Sequence, residues 1–356
     1  MVETKNLMQI RGAERNLDEV IEGVIILDKS IESNLYDYRR KWETFMPVEG
    51  EKNFGKMAYV PIVSVRKCHP QHIEFSGKVR DIPYFVFILN QGRDSRPKSS
   101  TAPSLTPVID TDKPHCKLCQ NVMGKDMIIS ELGDFWLTPN GFPYNMYASL
   151  LVSKRLDRPQ GSLSPEDIAT WMKASTLLNQ YAFYNTLGAG ASIKEHQHVQ
   201  LVDPTEIKID NECVPLPILN NAFVSREEVN GKSDVFRLKN YPVDALIFVG
   251  RDAPYKAAYA SHLIQSENHA YNILVNKNEV FVIGRNPARE VSICVKRAFG
   301  GFEMSGVGLL GTIEEVVGGN KIMIDGAKIF TNMAYDIFAK NMRGAAIDLS
   351  AVAKRF

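Results

Sequence analysis

A run of alternating polar residues behind a turn of small residues constrains the fold of this chain most strongly. The run is Glu195–Gln200 (EHQHVQ), and the turn before it is Gly188–Ser192 (GAGAS). Successive side chains of a strand point to opposite faces, so a strand here places on one face His196, His198 and Gln200. The opposite face is mainly apolar. The sequence therefore predicts a half-buried strand that carries two imidazoles and an amide, next to a loop whose backbone N–H groups can approach a phosphate.

The segments before this strand predict a hairpin and a helix. Strands are expected over 134–139 and 148–153, with a turn at Asn140–Pro143 between them. Ser164-Pro165-Glu166-Asp167 is typical of a helix start, because it offers a Ser cap, Pro in the first turn and acidic residues near the helix N-terminus. The predicted order is strand, strand, helix, loop and histidine strand.

The second half of the chain, from about residue 214, repeats this order without the histidine motif. Strands are predicted in 244–250 and 270–285, the latter as a hairpin that turns at 276–278. Helices are predicted over 254–265 and 327–341.

Composition limits the class of protein. The net charge of +1 gives no electrostatic reason to expect a nucleic-acid partner. The charged first residues do not resemble a secretory leader, and no run approaches the roughly 18 apolar residues that a membrane span needs. An odd count of 5 cysteines with a single C-x-x-C pair favours metal binding or free thiols over a disulfide framework. We expect a cytoplasmic protein that does not bind a membrane.

Taken together, these motifs resemble the histidine triad superfamily, in its galactose-1-phosphate uridylyltransferase branch, which also contains diadenosine tetraphosphate phosphorylases and GDP-galactose phosphorylase. The matching segments are the small-residue loop with HQHVQ, the hairpin FWLTPNGFPYNMYASLLVSKRLDRPQ, the stretch LNQGR, the C-x-x-C pair and KRAFGGFEMSG. The good match covers about residues 85–205, and the second half matches in pattern only.

The resemblance implies an α+β fold of two tandem histidine-triad-like units, which are antiparallel sheets with packed helices. We expect an N-terminal helical extension over 1–58, a catalytic unit with the His-x-His-x-Gln motif over 59–210, and a second unit over 211–356 that completes the substrate pocket. A homodimer is compatible with this branch.

The resemblance also implies an activity. A nucleotidyltransferase or phosphorylase would act at the α-phosphate of a nucleotide sugar or a dinucleoside polyphosphate, through a covalent nucleotidyl-histidine intermediate. The acceptor would be phosphate or a sugar phosphate. His198 would be the nucleophile, Gln200 would bind phosphate oxygens, and His196 completes the motif. The residues assigned to phosphate binding are Gly190, Ala191, Ser192, Lys194, Asn140, Lys296 and Arg297.

Members of this branch often hold a structural zinc, and three of its positions match this chain. Cys116, Cys119 and His196 fit them, and Asp157 stands nearest the place of the usual fourth ligand, a histidine. Carboxylate oxygens can ligate zinc, so a mixed site is chemically reasonable. His115 is an alternative ligand.

Other interpretations of the histidine pair stay open at this point. A hydrolase of the same superfamily would need a proton donor near Gln200, and the motif offers none. A non-catalytic zinc- or nucleotide-binding protein would keep the fold and form no adduct. A metal-dependent enzyme would use both His196 and His198 as ligands. The pair could also consist of ordinary hydrogen-bonded histidines at a sheet edge.

Overall fold

The computed structural model describes more than half of the chain. The described residues are 35–45, 64–68, 74–75, 78–79, 85–89, 118, 127–140, 143, 147–155, 158–161, 163–209, 212–213, 215–221, 224–289, 299–310, 316–317, 320–321 and 332–356. Several predictions lie outside them: the metal ligands Cys116, Cys119 and Asp157, the phosphate ligands Lys296 and Arg297, and the boundary at 58/59.

The secondary structure alternates short strands with a few helices. The helices of the described part are α1 (Leu35–Phe45), α2 (Pro165–Leu178), α3 (Ala253–Ser266), α4 (Gly301–Met304), α5 (Asn332–Ala345) and α6 (Ser350–Ala353). The strands are β1 (Ser64–Cys68), β2 (Glu74–Phe75), β3 (Lys78–Val79), β4 (Phe85–Leu89), β5 (Ser130–Leu132), β6 (Phe135–Pro139), β7 (Ser149–Ser153), β8 (Tyr181–Asn185), β9 (His198–Val202), β10 (Lys208–Ile209), β11 (Glu212–Cys213), β12 (Ser225–Val229), β13 (Lys232–Lys239), β14 (Ala245–Val249), β15 (Ala270–Asn276), β16 (Glu279–Arg285), β17 (Val307–Leu310), β18 (Val316–Val317) and β19 (Asn320–Lys321).

Ten of these strands form one antiparallel sheet in the order β12-β13-β14-β16-β15-β8-β9-β7-β6-β5. Every neighbouring pair in this sheet is antiparallel. A smaller sheet joins β1, β4 and β17. The α+β class with packed helices is therefore confirmed.

The large sheet consists of two five-strand units that mirror each other in order. From each outer edge, the first three strands of a unit come in chain order, then the fifth, then the fourth. The two fourth strands, β8 and β15, pair at the centre, in register from Asn272↔Asn185 to Val275↔Ala182. The predicted tandem units are therefore present, and they share one continuous sheet.

Helices α2 and α3 cover one face of this sheet, each following the third strand of its unit. Helix α2 begins as predicted: the Ser164 hydroxyl accepts the Asp167 N–H at 3.3 Å, and the Asp167 carboxylate accepts the Ser164 N–H at 2.8 Å. Pro165 occupies the first turn, where its missing N–H costs nothing. The helix turns Ile168 and Trp171, both fully buried, onto the sheet.

The sheet separates two apolar cores. Val199 and Leu201 of β9 lie in the helix-side core, with Trp171 among their cluster. The opposite face has its own core, which is built around Phe183 and Phe281 and covered by residues of α4 and α5. Alternation along β9 therefore directs Val199 and Leu201 toward the helices, and His198, Gln200 and Val202 to the other face.

Helix α1 packs beside the first unit, at the start of β7. The Trp42 indole N–H donates to Ala148 O at 3.0 Å, and the Tyr38 hydroxyl donates to Tyr147 O at 2.6 Å. This helix is the described part of the predicted N-terminal helical extension. Among the described helices, none combines the length and apolar character needed to cross a membrane.

The cap of α2 gives a stability prediction. Replacing Ser164 with Ala should lower the free energy of unfolding by about 1 kcal/mol, because the Asp167 N–H loses its acceptor. Ser266→Ala, in the last turn of α3, is the matched control. Its hydroxyl only back-bonds to Leu263 O and it caps no helix N-terminus. Urea denaturation of both variants measures the difference, and equal midpoints would contradict the capping role.

Candidate active site

The predicted histidine strand begins later than the alternation suggested. Strand β9 starts at His198, and His196 lies in a bend before it. The prediction that His196 shares a strand face with His198 and Gln200 was therefore wrong for His196. The physical reason is loss of a partner strand: β7 ends at Ser153, whose N–H makes the last backbone bond to this segment, to Gln197 O at 3.0 Å.

His198 is buried, and one of its ring nitrogens is bonded to backbone. Nδ1 lies 3.0 Å from the carbonyl oxygen of His196. A carbonyl can only accept, so Nδ1 carries the hydrogen, and the lone pair of the neutral ring lies on Nε2. The bend before the strand, with its His196 carbonyl, therefore fixes the tautomer that a nucleophilic Nε2 requires.

His196 is fully buried and has a structural bond of its own. Its Nε2–H donates to Ser153 O at 2.6 Å, next to the end of β7. Burial lowers the pKa of His196 below its usual value, and the bond to Ser153 opposes that effect only in part. The ring is therefore neutral at physiological pH, and it ties the bend to β7.

Of the four residues of the predicted zinc site, the structure describes His196. Its other ligands, Cys116, Cys119 and Asp157, lie outside the described residues. Nε2 of His196, the described member of the predicted ligand set, is bonded to Ser153 O. Elsewhere in the described residues, no cluster of three or more His, Cys, Asp or Glu side chains is arranged to hold a metal ion.

Gln200 and His198 stand on one face of β9, with an apolar wall beside them. Their register partners on β7 are Leu150 and Val152. Those two side chains form a small cluster with Leu118, against which Ile193 packs. His198 and Gln200 are thus bounded on the β7 side by apolar surface.

The opposite side of the site is polar and leads into the second unit. Asn185 Oδ1 accepts from Asn272 Nδ2 at 2.8 Å and from the Gly301 N–H at 2.7 Å. Arg285, fully buried, donates to Asn272 Oδ1 and to Phe299 O, the latter at 2.7 Å. Sequence reasoning missed this chain of polar groups. A usable signal was present, because Asn185 ends the otherwise apolar strand YAFYN and Asn272 interrupts the apolar run of AYNILVN.

The small-residue loop packs against the second unit. Gly190 has φ +92°, and a Cβ there would lie 2.7 Å from Phe299 O and 2.7 Å from Gly300 Cα. Glycine is therefore required at this position by both the backbone conformation and the close approach. Of its neighbours, Ala191 is buried and Ser192 is half-buried. The loop stays the predicted phosphate-binding segment, with a packing role in addition.

The structure does not bring Asn140 next to His198. Asn140 follows β6, two strands across from β9, where Pro139 is level with Ser149 and Leu201. At about 3.3 Å per residue and about 4.8 Å per strand, this position is well over 10 Å from His198. Lys194 lies closer in the chain, and its carbonyl accepts the Gln160 N–H at 3.0 Å.

The helix side of the motif is held by a buried ion pair. Arg158 forms a two-bond pair with Asp167, and Gln197 Nε2 donates to the same carboxylate at 3.4 Å. The Gln197 N–H donates to Arg158 O at 2.8 Å. Burial raises the pKa of the Asp167 carboxyl, although the Arg158 charge opposes this. The first turn of α2 is thereby linked to the residue between the two histidines.

Comparisons with known proteins define the fold. Neither the family models nor the curated proteins give a match. Among solved structures, yeast Ap4A phosphorylase Apa2 is similar, with a TM-score of 0.56 and 14% identity over 88% of this chain and 97% of that chain. Its complex with AMP gives 0.52 and 16% over 79% and 90%, and its complex with Ap4A gives 0.52 and 14% over 80% and 90%. At this identity, the similarity shows a shared fold.

The buried imidazole of His196 gives a pH prediction. Its pKa should lie below the usual value of 6.5. The unfolded chain takes up this proton near pH 6.5 and the folded chain only at lower pH, so the free energy of unfolding should fall as pH drops through that interval. An NMR titration of the ring protons measures the midpoint. His196→Gln, which keeps a donor for Ser153 O, should flatten the pH dependence, and a midpoint at or above 6.5 would contradict the argument.

Proposed function

We propose that this protein is a nucleotidyltransferase or phosphorylase that acts at the α-phosphate of a nucleotide through a covalent intermediate on His198. The observation that carries the proposal is the bond from His198 Nδ1–H to His196 O. It selects the tautomer with the lone pair on Nε2 and orients the ring. A histidine with a purely structural role does not require a fixed Nε2 lone pair next to the small-residue loop 188–192.

The first step is attack by Nε2 of His198 on the α-phosphorus. The new N–P bond forms as the bond from phosphorus to the bridging oxygen of the leaving group breaks, and the leaving phosphate departs with that electron pair. The ring becomes positive during attack, which strengthens its Nδ1–H bond to the His196 carbonyl. This bond therefore stabilises the transition state more than the ground state.

The second step transfers the nucleotidyl group to an acceptor. An oxygen of inorganic phosphate or of another phosphorylated acceptor attacks phosphorus, and the N–P bond breaks to return the neutral ring. The Gln200 amide, two residues along the same face of β9, would donate to a phosphate oxygen in both steps. Glutamine has no titratable proton to activate water, which favours transfer over hydrolysis.

The proposed substrate class is a dinucleoside polyphosphate, with a nucleotide sugar as the alternative. The support is the shared fold with a yeast Ap4A phosphorylase whose structures include complexes with AMP and with Ap4A. The apolar wall at Leu150 and Val152 offers a surface for a base or ribose beside His198. The residues proposed to hold phosphate near the nucleophile are Gly190, Ala191, Ser192, Lys194, Lys296 and Arg297.

A metal-dependent function fits the described geometry less well. Nε2 of His196 and Nδ1 of His198 both face backbone carbonyls, and only His198 belongs to the strand. A structural zinc held by Cys116, Cys119 and His196, with Asp157 or His115 as fourth ligand, stays a prediction. Such a zinc would tie the chain around residues 116–119 to the bend, and no chemical step needs it.

The nucleophile is tested by intact-mass spectrometry. Wild-type protein incubated with diadenosine tetraphosphate under neutral work-up should gain the mass of one adenylyl group. His198→Ala should gain nothing and lose about 10³-fold or more of turnover. His262→Ala, on the exposed side of α3, is the matched control and should label like wild type.

The same experiment separates the alternatives. No adduct from diadenosine tetraphosphate or from a nucleotide sugar, in a protein that binds either one, would favour a non-catalytic nucleotide-binding protein. An adduct retained by His198→Ala would contradict the assignment of the nucleophile. His198→Gly should retain any bound zinc and should be partly rescued by free imidazole. Loss of zinc from this variant would instead indicate a metal ligand.

Gln200 gives a second prediction about the reaction. Gln200→His introduces a ring that can accept a proton from water, so the ratio of hydrolysis to phosphorolysis should rise by about 10-fold or more. Parallel assays of adenylyl release with and without inorganic phosphate measure this ratio. An unchanged ratio, with adduct formation intact, would contradict the role of the amide in favouring transfer.

A further inference from the structure

The ladder between β8 and β9 stops just before the nucleophile. Its register runs from Tyr181↔Val202 to Phe183↔Gln200. Two residues further on, the same register would pair Asn185 with His198. In an unbroken antiparallel ladder these two residues would bond to each other.

A side chain occupies the place of the missing rung. Gln160 Oε1 accepts the His198 N–H at 2.8 Å. Gln160 Nε2 donates to Asn185 O at 2.7 Å and to His198 O at 3.0 Å. The amide therefore offers one acceptor and two donors to the backbone of two different strands.

Gln160 is itself firmly fixed. It is 1% exposed, and its N–H donates to Lys194 O at 3.0 Å in the segment that leads to the motif. The next residue, Gly161, donates its N–H to the Tyr184 hydroxyl at 2.7 Å. The backbone that carries the Gln160 side chain is thus held by two hydrogen bonds, one at Gln160 and one at Gly161.

We propose that Gln160 is a positioning residue for His198, which holds the strands apart at the site while satisfying the backbone on both sides. The inference rests on the proposed function of His198 as nucleophile. Inserting an amide between β8 and β9 separates the strands where phosphate must reach the ring. The two bonds to the His198 backbone fix the Cα from which the ring projects. Gln160 acts through His198 and the proposal gives it no contact with substrate.

The first test removes the rung. Gln160→Leu keeps the approximate volume and loses all three bonds. With saturating diadenosine tetraphosphate, adenylyl labelling of His198 should slow by about 10- to 100-fold, because displacement of a reacting atom by about 1 Å is enough for that effect. Affinity for the nucleotide should change by less than about threefold, since the donor does not contact Gln160.

A matched control separates positioning from general loss of stability. Gln180 is also buried and bonds Tyr38 and Tyr147 O, but it precedes β8 at the end away from Asn185. Gln180→Leu should cost comparable stability in urea denaturation and leave the labelling rate within about threefold of wild type. Equal slowing by both leucine variants would overturn the proposal.

Gln160→Glu gives a further measurement, the pH dependence of the labelling rate, which a purely structural role would leave unchanged. The carboxylate accepts from the His198 N–H but repels the Asn185 and His198 carbonyls. The protonated acid regains one donor. Labelling relative to wild type should therefore rise as pH falls, along a one-proton curve, because burial favours the neutral acid. Both proteins share the charged and titratable groups near this position, which are His196, His198, Arg158 and Asp167. A ratio independent of pH would overturn the proposal, and this variant serves as well if Gln160→Leu does not fold.

Hydrogen exchange distinguishes failure of this inference from failure of the proposed function. The His198 amide should exchange faster in Gln160→Leu and not in Gln180→Leu, whatever the reaction. Faster exchange in a protein that is never labelled would reject the function and keep the positioning role. Rapid labelling of Gln160→Leu would keep the function and reject the positioning role.

Discussion

The pairing of β8 with β15 is the contact on which the rest of the structure depends. Each unit supplies five strands, and its fourth strand would otherwise be an open edge with unpaired N–H and C=O groups. Pairing the two fourth strands closes both edges at once and sets Asn185 opposite Asn272. The same register brings Gly301 and the buried Arg285 within reach of that pair. The hydrogen bonds between β8 and β15, which join the two units, therefore also connect the site to the second unit.

Sidedness of the sheet decides where the chemistry can lie. Helices α2 and α3 cover one face, so the alternation of β9 has a single acceptable phase. Val199 and Leu201 enter the helix-side core, and His198 and Gln200 face the other way. A slip of one residue would place His198 under the helices and remove Val199 and Leu201 from the helix-side core. Hydrophobic burial thus sets the direction of the His198 side chain.

Local signals in the sequence predicted local structure well. The Ser164 cap, the hairpin strands before it and the alternation from His198 onward are read from neighbours in the chain, and the structure confirms them. The position of His196 and the insertion of Gln160 depend on contacts with Ser153 and Asn185, which lie 43 and 25 residues away. No local pattern encodes such contacts. Cys116, Cys119, Asp157, Lys296 and Arg297 stay predictions because they lie outside the described residues.

The two units differ most in the connection between their fourth and fifth strands, and this difference explains why only one carries the motif. In the second unit, Lys277 and Asn278 turn a tight hairpin, and β15 and β16 pair over seven residues. In the first unit, residues 186–197 replace that turn, and β8 and β9 pair over three. The longer connection frees the last backbone groups of both strands, which lets the Gln160 amide enter between them. On the same face, β16 presents Phe281 and Ile283, which complete the core against which the site is built. A shorter ladder in one unit, supported by a complete ladder in the other, is what makes room for the phosphate that we propose binds beside His198.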